Sequence, residues 1–298
     1  MSLAWRHQRE RGSRAGIRVM MWVALVLGRS VARVLLYPIC AYFLMGSPES
    51  RRAVARFRAI VFGRPARWGE LFRHYYTFAA TVLDRVYLLR AQFDLFDLRF
   101  HGVEVLDREL AKGRGCILMG AHVGSFEVIR AVGVLGRRLD VTVVMDEHNA
   151  PLMRGLTEML NPAVAATVIQ AGGVEAMLRV RECLERGGIV GMMGDRTVGR
   201  EQTVECLFFG RPARFPTGAL RLASLLGVPV VLCFGLYRGG NRYDIHFESF
   251  LNDGKELGDH QQPFLQHAMQ HYVARLEAMC RLAPDNWFNF YEFWDEAS

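Results

Sequence analysis

The chain has no CxxC pair and no cysteine near a histidine at metal-ligand spacing. Its six cysteines, Cys40, Cys116, Cys183, Cys206, Cys233 and Cys280, are scattered, which excludes a zinc ribbon or a disulfide framework. Five of them sit among apolar residues, where a free thiol packs as a small hydrophobe, a usage that suits a reducing, cytosolic face. Neither a Walker loop nor a GxGxxG after a strand signals a nucleotide fold, and there is no GxSxG elbow for a serine nucleophile. No repeat of 20 to 50 residues and no low-complexity linker divides the sequence. No apolar run reaches the roughly 20 residues that a membrane-crossing helix needs. What is present is an ordinary globular composition, 298 residues with 51% apolar and 22% charged, enough for a large core.

Charge is unevenly distributed. The first 75 residues carry 14 arginines, no lysine and three glutamates, so this quarter is +11 while the remainder is −4. The arginines flank apolar runs at 19–28 (VMMWVALVLG) and 34–45 (VLLYPICAYFLM), with Arg29 and Arg33 between them. No small-x-small site closes the first run, so the segment is expected to stay attached rather than be cleaved as a signal peptide. One or two helices lying in or dipping into a bilayer interface account for the pattern, with arginine stems snorkelling to anionic headgroups and Trp22, Tyr37 and Tyr42 near the polar boundary. A single tilted span over 16–45 is the costlier alternative because two arginines fall at its centre. An ordinary buried helical hairpin is the plainer one.

Residues 50–94 alternate arginine with apolar and aromatic residues at helical spacing, interrupted at Gly63–Pro65, which predicts two amphipathic helices. Beyond them the pattern changes to short, β-rich, nearly continuous apolar runs at 98–106, 115–120, 141–146, 166–170, 188–194 and 228–237, as strands buried on both faces read. Helical stretches at 124–136, 151–160 and 173–186 separate them. The alternation predicts an α/β fold with a layered, largely parallel sheet flanked by helices. The N-terminal helical, membrane-associating extension is drawn over 1–94 and the catalytic domain over 95–298. In such sheets, ligands collect at the carboxyl ends of the strands.

The run GCILMG leads into Ala121 and then His122-Val-Gly-Ser-Phe-Glu127. A histidine leaving a buried strand, with Gly124 and Ser125 in the turn and Glu127 in the first helical turn, brings an imidazole and a carboxylate into one crevice. On a continuous helix the two side chains would lie about 140° apart, so they meet only if His122 precedes the helix. A carboxylate on one ring nitrogen fixes the tautomer and supports the charge gained when the other nitrogen takes a proton from a hydroxyl. Amide groups at the helix start would suit a developing oxyanion. Ser125 is a nucleophile on one reading and a turn or capping residue on the preferred one.

The stretch AHVGSFE resembles the His-x4-Asp/Glu motif of glycerolipid and lipid A acyltransferases. The block GDRTVGREQTVECLFFGRPARFPTGALRLASLLGVPVV (194–231) and the ending YVARLEAMCRLAPDNWFNFYEFW (272–294), with its Pro-x-x-Trp, extend the resemblance to the lipid A (lauroyl/myristoyl) branch, within the lysophospholipid acyltransferase-like superfamily, over about 16–294. The resemblance implies a glycerol-3-phosphate acyltransferase-like fold and acyl transfer from a thioester to a hydroxyl. His122 would be the general base and Glu127 its orienting partner, with direct attack and therefore no acyl-enzyme, cofactor or metal. Gly124 and Ser125 would border the substrate. Arg196 would hold an anionic group and Asp195 would position it, an Arg fork suiting phosphate. Phe208, Phe209 and Gly210 read as a core edge, and Thr217 and Gly218 as the start of a helix.

The match departs from the lipid A pattern in two places. The segment after the third strand reads MDEHNAPLMRGLTEMLNPAV, with Ala150 between Asn149 and Pro151, and no basic cluster follows the C-terminal tryptophan. In this the sequence is similar to a side branch associated with aryl-polyene-type lipid pathways, which leaves the lipid or glycolipid acceptor open. The implied donor is acyl carrier protein or coenzyme A thioester, and the arginine-rich helices can attract an acidic carrier as well as lipid headgroups. The expected location is the cytoplasmic face of an inner membrane. A silent lipid-binding scaffold and a thioester or ester hydrolase are the alternatives; nucleic-acid binding is disfavoured because the arginines are interleaved with Val, Leu and Met.

Overall fold

A computed structural model describes residues 14–129, 141–145, 151–196, 202–254 and 262–294. Four helices come first: α1 (Arg14–Val26), α2 (Gly28–Gly46), α3 (Pro48–Phe62) and α4 (Trp68–Leu89). α3 and α4 are the two amphipathic helices expected around the Gly63–Pro65 break; Gly63 adopts a left-handed conformation as it ends α3. Then come β1 (Asp97–His101), α5 (Val103–Leu110), β2 (Cys116–Gly120), β3 (Val141–Met145), α6 (Pro151–Leu160), α7 (Pro162–Ala166), β4 (Val168–Gln170), α8 (Gly173–Glu185) and β5 (Ile189–Met193). The chain continues through β6 (Thr203–Phe208), β7 (Arg211–Pro216), α9 (Gly218–Leu226), β8 (Val230–Tyr237), β9 (Arg242–Leu251) and α10 (Gln262–Leu282).

Seven strands form one sheet in the order β1-β9-β8-β2-β5-β3-β4. Every neighbouring pair is parallel except β8 with β9. This is the expected α/β sheet flanked by helices. Its central strands are apolar throughout because both faces are covered: Ile117 and Met119 join one core with α8, α9 and α10, whereas Cys116 and Leu118 join another with α1, α2 and α4. All six cysteines are buried free thiols. Burial pushes the Cys40 and Cys116 thiols up to about 12.

Three expectations about the elements need correction. The run 98–106 is not one strand. Gly102 turns the chain at φ +70, where a Cβ would lie 2.2 Å from the Phe247 carbonyl oxygen, and the residues after it form α5. β9 and the antiparallel β6–β7 hairpin are additional to the expected strands, and the hairpin turn puts Phe209 (φ 51) and Gly210 (φ 71) in the left-handed region. Phe208 is fully buried in the core and Thr217 precedes α9, both as expected. Of the helix expected over 124–136, residues 126–129 form a 3-10 turn and those beyond 129 lie outside the described residues, as does Asn149.

Arg29 and Arg33 do not reach outward to headgroups. Arg29 makes a two-pronged contact with Asp84 on α4, at 2.7 and 2.9 Å, and donates to the Gly240 carbonyl. Arg33 donates to the same carbonyl and to the Tyr237 hydroxyl, 3.7 Å from Asp84 at its closest. Tyr243 donates to Asp84 at 2.9 Å. A carboxylate with no exposed surface needs such partners, and here they lock α2 onto α4 and onto the turn between β8 and β9. The outward faces of α1 and α2 remain apolar, with Val19, Trp22, Val26, Val34, Tyr37, Tyr42 and Met45 exposed. No single described helix is long and apolar enough to cross a membrane; α2 and α3 pass only as a pair bent by 95°.

Asp84→Ala is expected to cost about 3–5 kcal/mol, because it strands a partly buried guanidinium without its charge partner. Chemical denaturation of the detergent-solubilised protein checks this; an unchanged unfolding midpoint would mean that apolar packing alone holds the N-terminal helices.

Candidate active site

β2 and β5 lie side by side and parallel, with Gly120 opposite Met193. Each strand is followed two residues later by a polar side chain, His122 after β2 and Asp195 after β5. The ladder extends one step past the strands, since Gly194 donates its amide to the Gly120 carbonyl at 2.9 Å. Asp195 therefore arrives beside His122. Its Oδ1 is 2.8 Å from His122 Nδ1, and both carboxylate oxygens are 3.1 Å from the His122 backbone nitrogen.

Asp195 has no exposed surface, while the His122 side chain is 37% exposed. Burial by itself would raise the Asp195 carboxyl, but the adjoining His122 and its hydrogen bonds, with the Arg196 charge, outweigh it and hold the group at about 2. Asp195 is thus ionised near neutrality and can only accept. His122 Nδ1 is therefore the donor of this hydrogen bond.

The sequence reading assigned the orienting carboxylate to Glu127. The described hydrogen bonds of the imidazole go to Asp195 instead, and Glu127 contacts Arg85 of α4 at 2.9 Å. Arg85 also reaches Thr157 of α6 at 3.3 Å. Glu127 thus ties the loop after β2 to α4. The reason is topological: the partner comes from the neighbouring parallel strand, 73 residues away in sequence, which spacing along one segment does not reveal.

The expected role of the turn amides also changes. Gly124 donates its N–H to the Asn286 carbonyl and Ser125 to the Gly235 carbonyl, both at 2.8 Å. Neither remains for an oxyanion. Gly124 has φ +68, and a Cβ there would lie 1.9 Å from the Gly235 oxygen, so the residue is required by close backbone approach to β8. Ser125 is buried beside it.

The C-terminal segment after α10, which in sequence carries only the Pro-x-x-Trp signal, closes the site. Phe288 donates its amide to the His122 carbonyl at 2.9 Å. The Asn286 side chain pairs with both backbone groups of Tyr237, at 2.7 and 3.0 Å. Trp287 Nε1 donates to Asp195 Oδ2 at 3.2 Å. Arg196 donates to the Phe288 carbonyl, and its guanidinium lies over the Tyr291 ring at 5.7 Å. Arg196 is therefore held next to the His122–Asp195 pair. Among the described residues, no group of three or more His, Cys, Asp or Glu is arranged to hold a metal ion.

A buried carboxylate bonded to an accessible imidazole, at the carboxyl edge of a mostly parallel sheet, is an arrangement chemically suited to moving a proton. The family model described as Bacterial lipid A biosynthesis acyltransferase matches residues 72–295, and the chain belongs to that family. It is an acyltransferase that acts on a lipid acceptor. No curated protein matches the chain.

Asp195→Asn is expected to lower kcat by about 10²-fold or more, since an amide NH2 facing Nδ1 favours the wrong tautomer. Glu127→Gln, which weakens the contact with Arg85, is expected to cost clearly less. Steady-state kinetics of the two variants checks the ranking; the reverse order would return the orienting role to Glu127.

Proposed function

We propose that the protein is a membrane-attached O-acyltransferase that moves a fatty acyl group from an acyl thioester, of acyl carrier protein or coenzyme A, to a hydroxyl of a lipid or glycolipid. The observation that carries this reading is the His122–Asp195 contact, which engages Nδ1, and Nε2 is proposed as the base. In the reaction the acceptor O–H gives its proton to His122 Nε2 while the oxygen attacks the thioester carbonyl carbon. Asp195 supports the imidazolium so formed. The tetrahedral intermediate collapses by breaking the C–S bond, and the departing thiolate takes the proton back from Nε2. An ester and a free thiol result, and the imidazole is returned to its starting form without an acyl-enzyme.

Arg196, one residue beyond Asp195 and braced by Phe288 and Tyr291, is proposed to meet negative charge, either on the oxygen of the intermediate or on an anionic part of a substrate. Glu127 braces the His122 loop through Arg85. Attachment to the cytoplasmic face of the inner membrane is assigned to the extension of residues 1–94, through the exposed apolar faces of α1 and α2. Two short helices lying in the interface fit this better than a span, because α1 has 13 residues and α2 carries Arg29 and Arg33.

The test uses acyl carrier protein and coenzyme A thioesters of one chain length, with total lipid extract as acceptor, followed by mass spectrometry. Wild type is expected to give a lipid heavier by one acyl group, and His122→Ala to give none while still sedimenting with membranes. Release of free fatty acid alone, whatever the acceptor, would instead make the protein a hydrolase.

A further inference from the structure

We propose that Trp287 is a positioning residue of the acyl-transfer site, its indole N–H fixing the buried Asp195 carboxylate that orients His122. This rests on the reading of His122 as the base. The two oxygens of Asp195 have divided duties: Oδ1 faces the imidazole at 2.8 Å, and Oδ2 accepts from Trp287 Nε1 at 3.2 Å. The carboxylate is thereby held at both ends of its plane and cannot rotate away from the ring without breaking a charge-assisted bond. Trp287 is itself immobile. It is 1% exposed, and its ring packs edge-on against Phe57, Phe208 and Phe293 at centroid distances of 4.8, 5.2 and 5.0 Å.

The backbone repeats the same linkage. Val123 and Trp287 form an antiparallel bridge, and Phe288 donates to the His122 carbonyl. One short segment thus grips the main chain of the base and the side chain of its partner. A tryptophan serving only to fill the core would need an acceptor for its N–H, but any nearby carbonyl would do. Here the acceptor is the carboxylate that sets the tautomer of the base. Losing that bond leaves Asp195 desolvated and less constrained, which weakens catalysis more than substrate binding.

The experiment compares Trp287→Phe with Phe293→Leu, which opens space in the same aromatic cluster without touching Asp195. Trp287→Phe is expected to lower kcat by about 10- to 100-fold, the loss of a hydrogen bond to a charged group, with KM changed by less than about threefold. Phe293→Leu is expected to keep kcat within about threefold at a comparable loss of thermal stability. In an Asp195→Ala background, Trp287→Phe should cost less than about twofold, because the acceptor is already gone.

A second readout needs no turnover. In protein labelled with nitrogen-15 histidine, the His122 signals, assigned by difference from His122→Ala, should report Nδ1–H in wild type and in Phe293→Leu, and a mixture of tautomers in Trp287→Phe. Equal losses of kcat in Trp287→Phe and Phe293→Leu, additive losses with Asp195→Ala, or an unchanged His122 tautomer in Trp287→Phe would each overturn the inference. Wild type inactive with every thioester and lipid would overturn the acyl-transfer reading instead, and the tautomer comparison would still decide what Trp287 does to the pair.

Discussion

A carboxylate without exposed surface is tolerated only where donors replace the water it has given up, and Asp195 meets that condition through the His122 amide, the His122 ring and the Trp287 indole. Each donor comes from a different part of the chain or a different group of the same residue. The demand for them organises the carboxyl edge of the sheet. β2 and β5 must be neighbours and parallel so that residues two beyond their ends meet. The segment after α10 must return across that edge so that Trp287 can complete the set.

Glycine and aromatic packing serve the same end. Gly124 allows the His122 loop to touch the backbone of β8, and Gly191 leaves room for the Phe126 ring over β5. Asn286 copies the pairing of a strand by bonding both backbone groups of Tyr237. The loop that carries His122 is consequently pinned on β8, on β5 and on the C-terminal segment. A side chain held this way, if it is the proposed base, has little freedom to lose when a substrate binds. Further out, Asp84 plays a similar part for the N-terminal helices, drawing Arg29 and Arg33 inward. Their outward faces are left apolar, without the arginine fringe that the sequence suggested at that point.

Much of the fold was legible because both of its periodicities are strong. The strands β2, β5 and β8 are unbroken apolar runs, β3 is interrupted only by Thr142, and α3 and α4 are separated by the Gly63–Pro65 break. β9 was not legible: its polar alternation, Asp244, His246 and Glu248 against Tyr243, Ile245 and Phe247, reads as surface sequence until β1 and β8 are placed on either side of it. At the site, His122 was legible as a histidine leaving a buried strand, and Asp195 as a charge at the same edge. Their partnership was not, because it depends on which strands are adjacent. Glu127 is the nearest carboxylate in sequence, but the described contact of the imidazole is with Asp195. Trp287 gave a sequence signal only as part of Pro-x-x-Trp, which says nothing about where its N–H points.

The most direct measurement of the central claim is an experimental structure of the protein with a lipid acceptor and a non-hydrolysable thioester analogue bound. The account predicts the acceptor hydroxyl within about 3.2 Å of His122 Nε2, a hydrogen-bond distance, with Nδ1 still on Asp195 and the analogue's carbonyl carbon beyond the hydroxyl. A hydroxyl remote from Nε2, or an imidazole turned from Asp195 to Glu127 in the complex, would contradict it.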